Sequence, residues 1–375
     1  MLDADYLDVV SESILELYEK FHTAVLEEIA RRINTQTYAT MAYQMQVVME
    51  SGMLYDDVID RLSEITGKSQ ELLRNIFLKA GIRAVTFDDK IYKAAGLSPL
   101  PLQQSPAMMR ILQINLLRTQ LLLKNLTLTT ALSAQTIFIE AADLAHMQIS
   151  TGSLSYEEAI RAAVKSAAHQ GLHVVYPSGW KDKLDVAIRR AVMTSVNQTA
   201  GELSLARAEE METDLLQTSA HLGARNRGDV PHNHEMWQGR VYSRSGEDDR
   251  YPDFYEITGY GTVEGLCGIN CRHSFFPFFD GISQNAYDTS QLEEYANKKV
   301  TYNGKQISYY EATQIQRQIE RQIRLAKRQL AAVEAAKLDS SSEKAKVRKM
   351  QAKMRSFLSQ TGLVRQSARE QIYGD

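Results

Sequence analysis

Gly265-Leu266-Cys267-Gly268-Ile269-Asn270-Cys271-Arg272-His273-Ser274-Phe275-Phe276-Pro277-Phe278 is the stretch on which the fold turns. Its glycines, its two cysteines and an aromatic run interrupted by Pro277 leave no place for the three- and four-residue apolar spacing of a helix. The same character reaches back to Ser219 and ends at Phe279, with Gly, His and aromatic residues dense throughout. This predicts a compact, β-containing unit. Trp237, Val241 and Tyr242 suggest one strand, Ser243 to Asp253 a polar turn region, and Phe254 to Ile257 another short strand. Gly259, Gly261, Gly265 and Gly268 imply tight turns or close backbone approaches.

Outward from this unit the pattern is helical. Towards the N-terminus, Val9, Ile14, Leu17, Phe21, Val25 and Ile29 form an apolar stripe at helical spacing. Further helices are expected from Met41 to Met49, from Tyr55-Asp56-Asp57 to Gly67, and from Ser69 to Lys79. Gly96, Pro99, Pro101 and Pro106 read as a loop or hinge, because proline lacks a backbone donor and disfavours helix before it. Helices then follow over Met108 to Leu126 and Ala131 to Ser150. Another runs from Ser153 to Ala168, capped at Ser155 with Glu157 and Glu158 at the positive end of its dipole. Val174 to Gly179 reads as an extended piece and a turn, and Lys183 to Leu215 as helix. Beyond Tyr287, Ile315, Ile319, Ile323, Ala326, Leu330 and Val333 make a stripe that would suit a coiled coil. Ser340-Ser341-Ser342 breaks the chain before a final Lys-rich helix. The expected class is mainly α with a small α+β domain. Four consecutive regions are expected: a helical region over 1–105, a second over 106–218, the mixed domain over 219–285, and a basic helical tail over 286–375.

A chain of 375 residues with 44% apolar and 24% charged residues has the composition of a folded globular protein, so neither disorder nor a membrane class is indicated. Charge is uneven: Met1 to Ala80 holds 7 basic against 14 acidic residues, and Ala286 to Asp375 holds 17 against 10. Such ends steer towards different surfaces or towards each other in neighbouring copies, unless they are simply solvated helix faces. Acidic residues stud Met1 to Leu17, unlike a secretory signal, and Arg110, Asn115, Arg118 and Lys124 interrupt the most apolar run. Synthesis and folding in the cytosol are expected, with Cys267 and Cys271 as thiols or metal ligands rather than a disulfide.

His221, His232, His234, Cys267, Cys271 and His273 carry what chemistry the sequence offers. His232 and His234 are two apart, as are Cys271 and His273, so on extended segments each pair would share a face. His232, His234, Cys267, Cys271 and His273 are the candidate metal ligands, and the donor types suit tetrahedral Zn²⁺. The spacing Cys-Gly-Ile-Asn-Cys matches no standard zinc signature. The alternative is that the histidines bond to turn backbones and the cysteines are small buried apolar residues. Four protein ligands would make a zinc structural, whereas hydrolysis would need an open, water-bearing position. Ser219 or Cys271 with a nearby His lacks the elbow, phosphate loop or paired carboxylates of a catalytic nucleophile. Arg225, Arg227, Arg240, Arg244 and Arg272 suit nucleic acid, a partner's carboxylates, or internal bonds to turns.

Three runs then carry a family likeness: Ser219-Ala220-His221-Leu222-Gly223-Ala224-Arg225, His234-Glu235-Met236-Trp237-Gln238-Gly239-Arg240-Val241-Tyr242-Ser243, and the stretch from Gly265 to Phe278. With Tyr176 to Gly179, Ala187 to Val192 and Asn197 to Ala200, they resemble the phage minor capsid protein family of tailed phages and prophages of Gram-positive bacteria. A more distant likeness is to Mu F-type head morphogenesis proteins. The likeness marks His221, Arg225, Trp237, Gly239 and Arg272 as motif positions. It implies a structural, non-enzymatic protein of the virion head, made in the host cytoplasm and working in head assembly at the portal vertex. Its partners would be portal or capsid proteins, with packaged DNA on the basic tail, where contact would be electrostatic and salt-sensitive. Structural zinc is the cofactor to weigh. The competing reading is a metal-dependent hydrolase or nuclease on His232, His234, Cys271 and His273.

Overall fold

Apolar spacing and capping residues account for the order of elements in the computed structural model, which describes residues 1–36, 38 and 43–373. Asp3 caps a short α1, Ala4–Val9, by accepting from the Tyr6 N–H at 2.8 Å. It is followed by α2, Glu12–Thr35, and by α3, Tyr43–Ala94, a single helix of 52 residues. The expected break at Gly67 is absent. A helical glycine costs only about 1 kcal/mol, and Leu54, Val58, Leu62, Ile65, Leu73 and Phe77 are buried on both sides of it. The helix expected from Met41 begins on residues outside the described ones, and its described part belongs to α3. The proline loop is where it was expected, with Gly96 at φ +82° and Pro106 opening α4, Pro106–Ser150. That helix also runs unbroken through the expected gap before Ala131.

Ser155 caps α5, Tyr156–Gln170, through a capping box with Glu158. A hairpin of β1, His173–Val175, and β2, Lys181–Lys183, brackets the expected turn at Tyr176 to Gly179. Helix α6, Leu184–Glu210, stops short of Leu215, which instead opens strand β3, Leu215–Thr218. Beyond β3 come α7, His234–Trp237, β4, Val241–Ser243, α8, Phe254–Thr258, and β5, Phe275–Pro277. Phe254 to Ile257 is therefore helix rather than strand, because the Asp253 side chain accepts from the Glu256 N–H and Gly259 supplies the left-handed cap. The last elements are α9, Thr289–Asn297, the hairpin β6, Lys299–Tyr302, and β7, Lys305–Ser308, then α10, Tyr309–Ala335, and α11, Ser341–Thr361. The fold class is mainly α with a small α+β part, as the sequence indicates. Among the described residues no helix is long and apolar enough to cross a membrane.

The chain forms two compact units, each drawn from three separate stretches. Unit 1 takes Met1–Ser11, Glu71–Leu121 and Arg189–Gln314; unit 2 takes Glu12–Gln70, Leu122–Ile188 and Ile315–Asp375. In unit 1, β3 is the centre of an antiparallel sheet ordered β4-β3-β5, with Leu216 opposite Tyr242 on one side and Pro277 on the other. Trp237, Tyr242, Phe254, Leu266, Phe275 and both cysteines form the core against it. Its helices meet where Gly81 lets Leu112 and Leu203 approach to 3.1 and 3.2 Å of an added Cβ, and Ser204 bonds to buried Asp88 at 2.6 Å.

In unit 2, α2 packs on α5, and the Leu172 N–H donates to buried His22 Nε2 at 2.9 Å. Arg328 makes a buried, bidentate bond to Glu19 at 2.7 and 2.9 Å, and Asp185 sits beside Arg324 at 2.9 Å. The acidic front and the basic tail thus meet inside one chain. Lys346 of α11 reaches Gln329 of α10 at 2.8 Å and Lys344 reaches Glu334 at 2.9 Å, so these two helices form an antiparallel hairpin.

Candidate functional site

The loop from Gly259 to Ser274 is built from backbone turns that bring two side chains of the Cys-X-His run inwards. Leu266 N–H bonds to Thr258 O at 2.8 Å, Ile269 N–H to Val263 O at 2.7 Å, and Cys271 N–H to Gly268 O at 3.1 Å. Such turns need glycine: a Cβ on Gly265 would sit 2.1 Å from Gly259 O, and one on Gly268 would sit 2.4 Å from Val263 O. Cys267 and Asn270 both take φ of +59°, a conformation few side chains tolerate. Arg225 braces the loop through Glu264 O and Ile269 O, each at 3.2 Å.

His234, Cys271 and His273 converge there, and one ligand atom from each lies within 4.8 Å of the others. All three are buried, at 1–2% exposure. Cys271 Sγ is 3.7 Å from His273 Nδ1 and accepts the His273 backbone N–H at 3.4 Å. Hydrogen bonding fixes both tautomers. Gln238 Oε1 accepts from the His221 backbone N–H at 3.0 Å, and it can only accept from His273 Nε2, also at 3.0 Å. His234 Nε2 likewise donates to the Glu264 carbonyl at 2.8 Å. Each neutral ring therefore keeps a lone pair on Nδ1. Burial pulls His234 down to about 4 and holds His273 well below the ordinary imidazole range. Burial also lifts the Cys271 thiol to about 11, against the His273 N–H bond that favours thiolate.

The remaining expected ligands are placed differently. His232 is half exposed and pairs with the equally exposed Glu264 carboxylate at 2.7 Å. It does not share a face with His234, because the chain turns into α7 at His234 and the alternation of an extended segment is lost. Cys267 is buried, its thiol 3.8 Å from the His273 carbonyl oxygen, and it is not joined to Cys271 in a disulfide. His221 stacks on His273 with ring centroids 4.3 Å apart, and its own Nδ1 bonds to Leu222 O.

Trp237 closes the chamber: its ring lies 4.6 Å from His234 and 4.9 Å from His273, and its Nε1 donates to Pro231 O at 3.0 Å. Gly239, at φ +72°, leaves room for Leu292, and Arg272 pairs with Asp8 at 3.1 Å. Arg244 donates to Thr213 O, and Arg227 lies over the Tyr310 ring. Ser219 Oγ accepts the Ser274 N–H at 2.9 Å.

Two residues of the site lie in runs that carry the family likeness but have no role assigned from sequence. Gln238 fixes the His273 tautomer. Asn197 of α6, fully buried, donates to Cys271 O at 3.1 Å and His273 O at 3.0 Å, while its Oδ1 finds no partner among the described residues. An amide directly after Val192-Met193-Thr194-Ser195-Val196 on α6 is the signal that marks it.

Comparison with known proteins bears out the family likeness. The family model for phage minor capsid protein 2 matches residues 2–359. A structural protein of Lactococcus phage LL-H is 24% identical over 354 residues, which cover 88% of this chain and 89% of that protein. A structural protein of Lactococcus phage mv4 is 34% identical over 128 residues, 33% of this chain and 93% of that protein. No solved structure matches the chain. With the match running through the helices, the loop and the His/Cys cluster alike, the chain belongs to the phage minor capsid protein 2 family.

Proposed function

We propose that the protein is a structural component of the phage head that works in assembly at or near the portal vertex by binding portal or capsid proteins. Family membership and the two phage structural proteins support a structural role in the virion. One observation on the chain itself supports a docking role: Met45, Val48, Met49 and Met53 of α3, at positions i, i+3, i+4 and i+8, are 55–70% exposed. An apolar face of this kind costs free energy in water and marks a contact surface. The sealed setting of His234, Cys271 and His273 supports a non-enzymatic reading, since 1–2% exposure admits no substrate. On α11, Arg348, Lys349, Lys353 and Arg355 are exposed and suit electrostatic contact with packaged DNA.

Co-expression with the portal protein of the same phage tests the reading. The expected result is a complex that co-sediments, and that is lost in a Met49→Lys, Met53→Lys double variant with an unchanged melting temperature. A chain that purifies alone and ignores the portal protein refutes the vertex assignment.

A further inference from the structure

We infer that His234, Cys271 and His273 form a structural transition-metal site for Zn²⁺, with Nδ1 of each imidazole and the Cys271 sulfur as its ligands. Three independent features of the geometry carry this. The first is spacing. For Zn–S of about 2.3 Å and Zn–N of about 2.05 Å, a tetrahedral edge between sulfur and nitrogen is about 3.6 Å. The Cys271 Sγ to His273 Nδ1 distance is 3.7 Å, and His234 completes the trio within 4.8 Å.

The second is the outer shell. Metal-bound histidines hold their orientation by donating the other ring N–H to a carbonyl or carboxylate. Both histidines do so here, to Glu264 O and to Gln238 Oε1, and these bonds leave the Nδ1 lone pairs available. The sulfur receives a backbone N–H, which stabilises a thiolate, and Asn197 pins the carbonyls of both ligands on this short run. The third is cost. A loop with two non-glycine residues at φ +59° and two glycines that admit no Cβ stores strain, and a bound ion offsets such strain by closing the loop on itself.

Binding releases one proton: the Cys271 thiol gives its hydrogen to solvent and its sulfur lone pair to Zn²⁺, while the imidazoles bind without losing one. Cys267, buried on the same turn with its thiol 3.8 Å from the His273 carbonyl oxygen, is not among the ligand atoms that converge within 4.8 Å. His232, exposed and paired with Glu264, lies outside the set.

The experiment uses the full chain without a histidine tag, purified from zinc-supplemented cells and passed through gel filtration. The expected result is about one zinc per chain, a melting temperature that falls on chelation, and, after exchange to Co²⁺, tetrahedral d–d bands with a thiolate charge-transfer band. Cys271→Ser is expected to abolish that band and His232→Ala to leave it intact. Gln238→Leu, which removes only an outer-shell bond, is expected to weaken binding roughly 10- to 100-fold. Absence of stoichiometric metal in the wild-type chain, a melting temperature indifferent to chelation, or a Co²⁺ spectrum without the sulfur band overturns the assignment. The wild-type arms stand even if a variant does not fold.

Discussion

The stretch from β3 to β5 in unit 1 and the helices of unit 2 bury polar groups by opposite means. In the first, most buried polar side chains answer to a backbone group: His234 to Glu264 O, Trp237 Nε1 to Pro231 O, Thr218 to Trp237 O and Gln217 Nε2 to Gly239 O. In the second, buried carboxylates answer to side-chain cations, as in Glu19 with buried Arg328 and Glu343 with the partly exposed Lys165 at 3.0 Å. Backbone partners fix a conformation atom by atom and tolerate little substitution. Side-chain partners on helices leave the backbone to its own ladder, so they can be exchanged together. Local precision is therefore expected between β3 and β5, and greater replaceability in the helices of unit 2.

The largest test breaks the charge pairing in unit 2. Arg328→Met should strand the Glu19 carboxylate and destabilise the unit by about 3–5 kcal/mol, whereas pairing it with Glu19→Leu should recover most of that loss. Urea titration followed by hydrogen exchange of α2 and α10 reads both; equal losses in the single and double variants would contradict exchangeability. Next, Gly265→Ala places a Cβ against the Gly259 carbonyl and should cost about 3 kcal/mol or more, seen as lost protection from Gly259 to Ser274.

A smaller effect concerns His22. Burial first, then Arg328, holds its pKa well below 6.5, and neutral His22 accepts the Leu172 N–H. Protons therefore favour the unfolded chain: this stability is complete above pH 6.5 and is lost as pH falls towards the lowered value. The slope is at most about 1.4 kcal/mol per pH unit. His22→Gln keeps an acceptor and should flatten that limb in thermal melts between pH 7 and pH 5. The smallest test is Gly67→Ala, where nothing lies within 4 Å of the new Cβ. It should stabilise α3 by about 1 kcal/mol, the opposite sign from Gly265→Ala. A destabilised Gly67→Ala would mean that the two units differ less than described.

Legibility in the sequence follows the same divide. Helix existence is written in local spacing, so the stripes and the Ser155 cap were plain. Helix continuity is a tertiary matter, so the uninterrupted α3 and α4 were not. The β6–β7 hairpin was missed although Asn303-Gly304, both at positive φ, is a favoured two-residue turn. At the site, residue types pointed to Cys271 and His273, whose ligand atoms the structure brings together with that of His234. His232 entered the expected set only because an extended segment was assumed where α7 begins. Gln238 and Asn197 stayed hidden because their roles lie in contacts 35 and 74 or more residues away along the chain.

Assembly of each unit from three distant stretches also has a temporal side. Ser274 Oγ bonds to Leu2 O across 272 positions and Arg328 to Glu19 across 309. A ribosome delivers the first partner of each pair long before the second. These contacts cannot form until most of the chain has emerged, so the bonds that tie the leading helices into their units come late in synthesis.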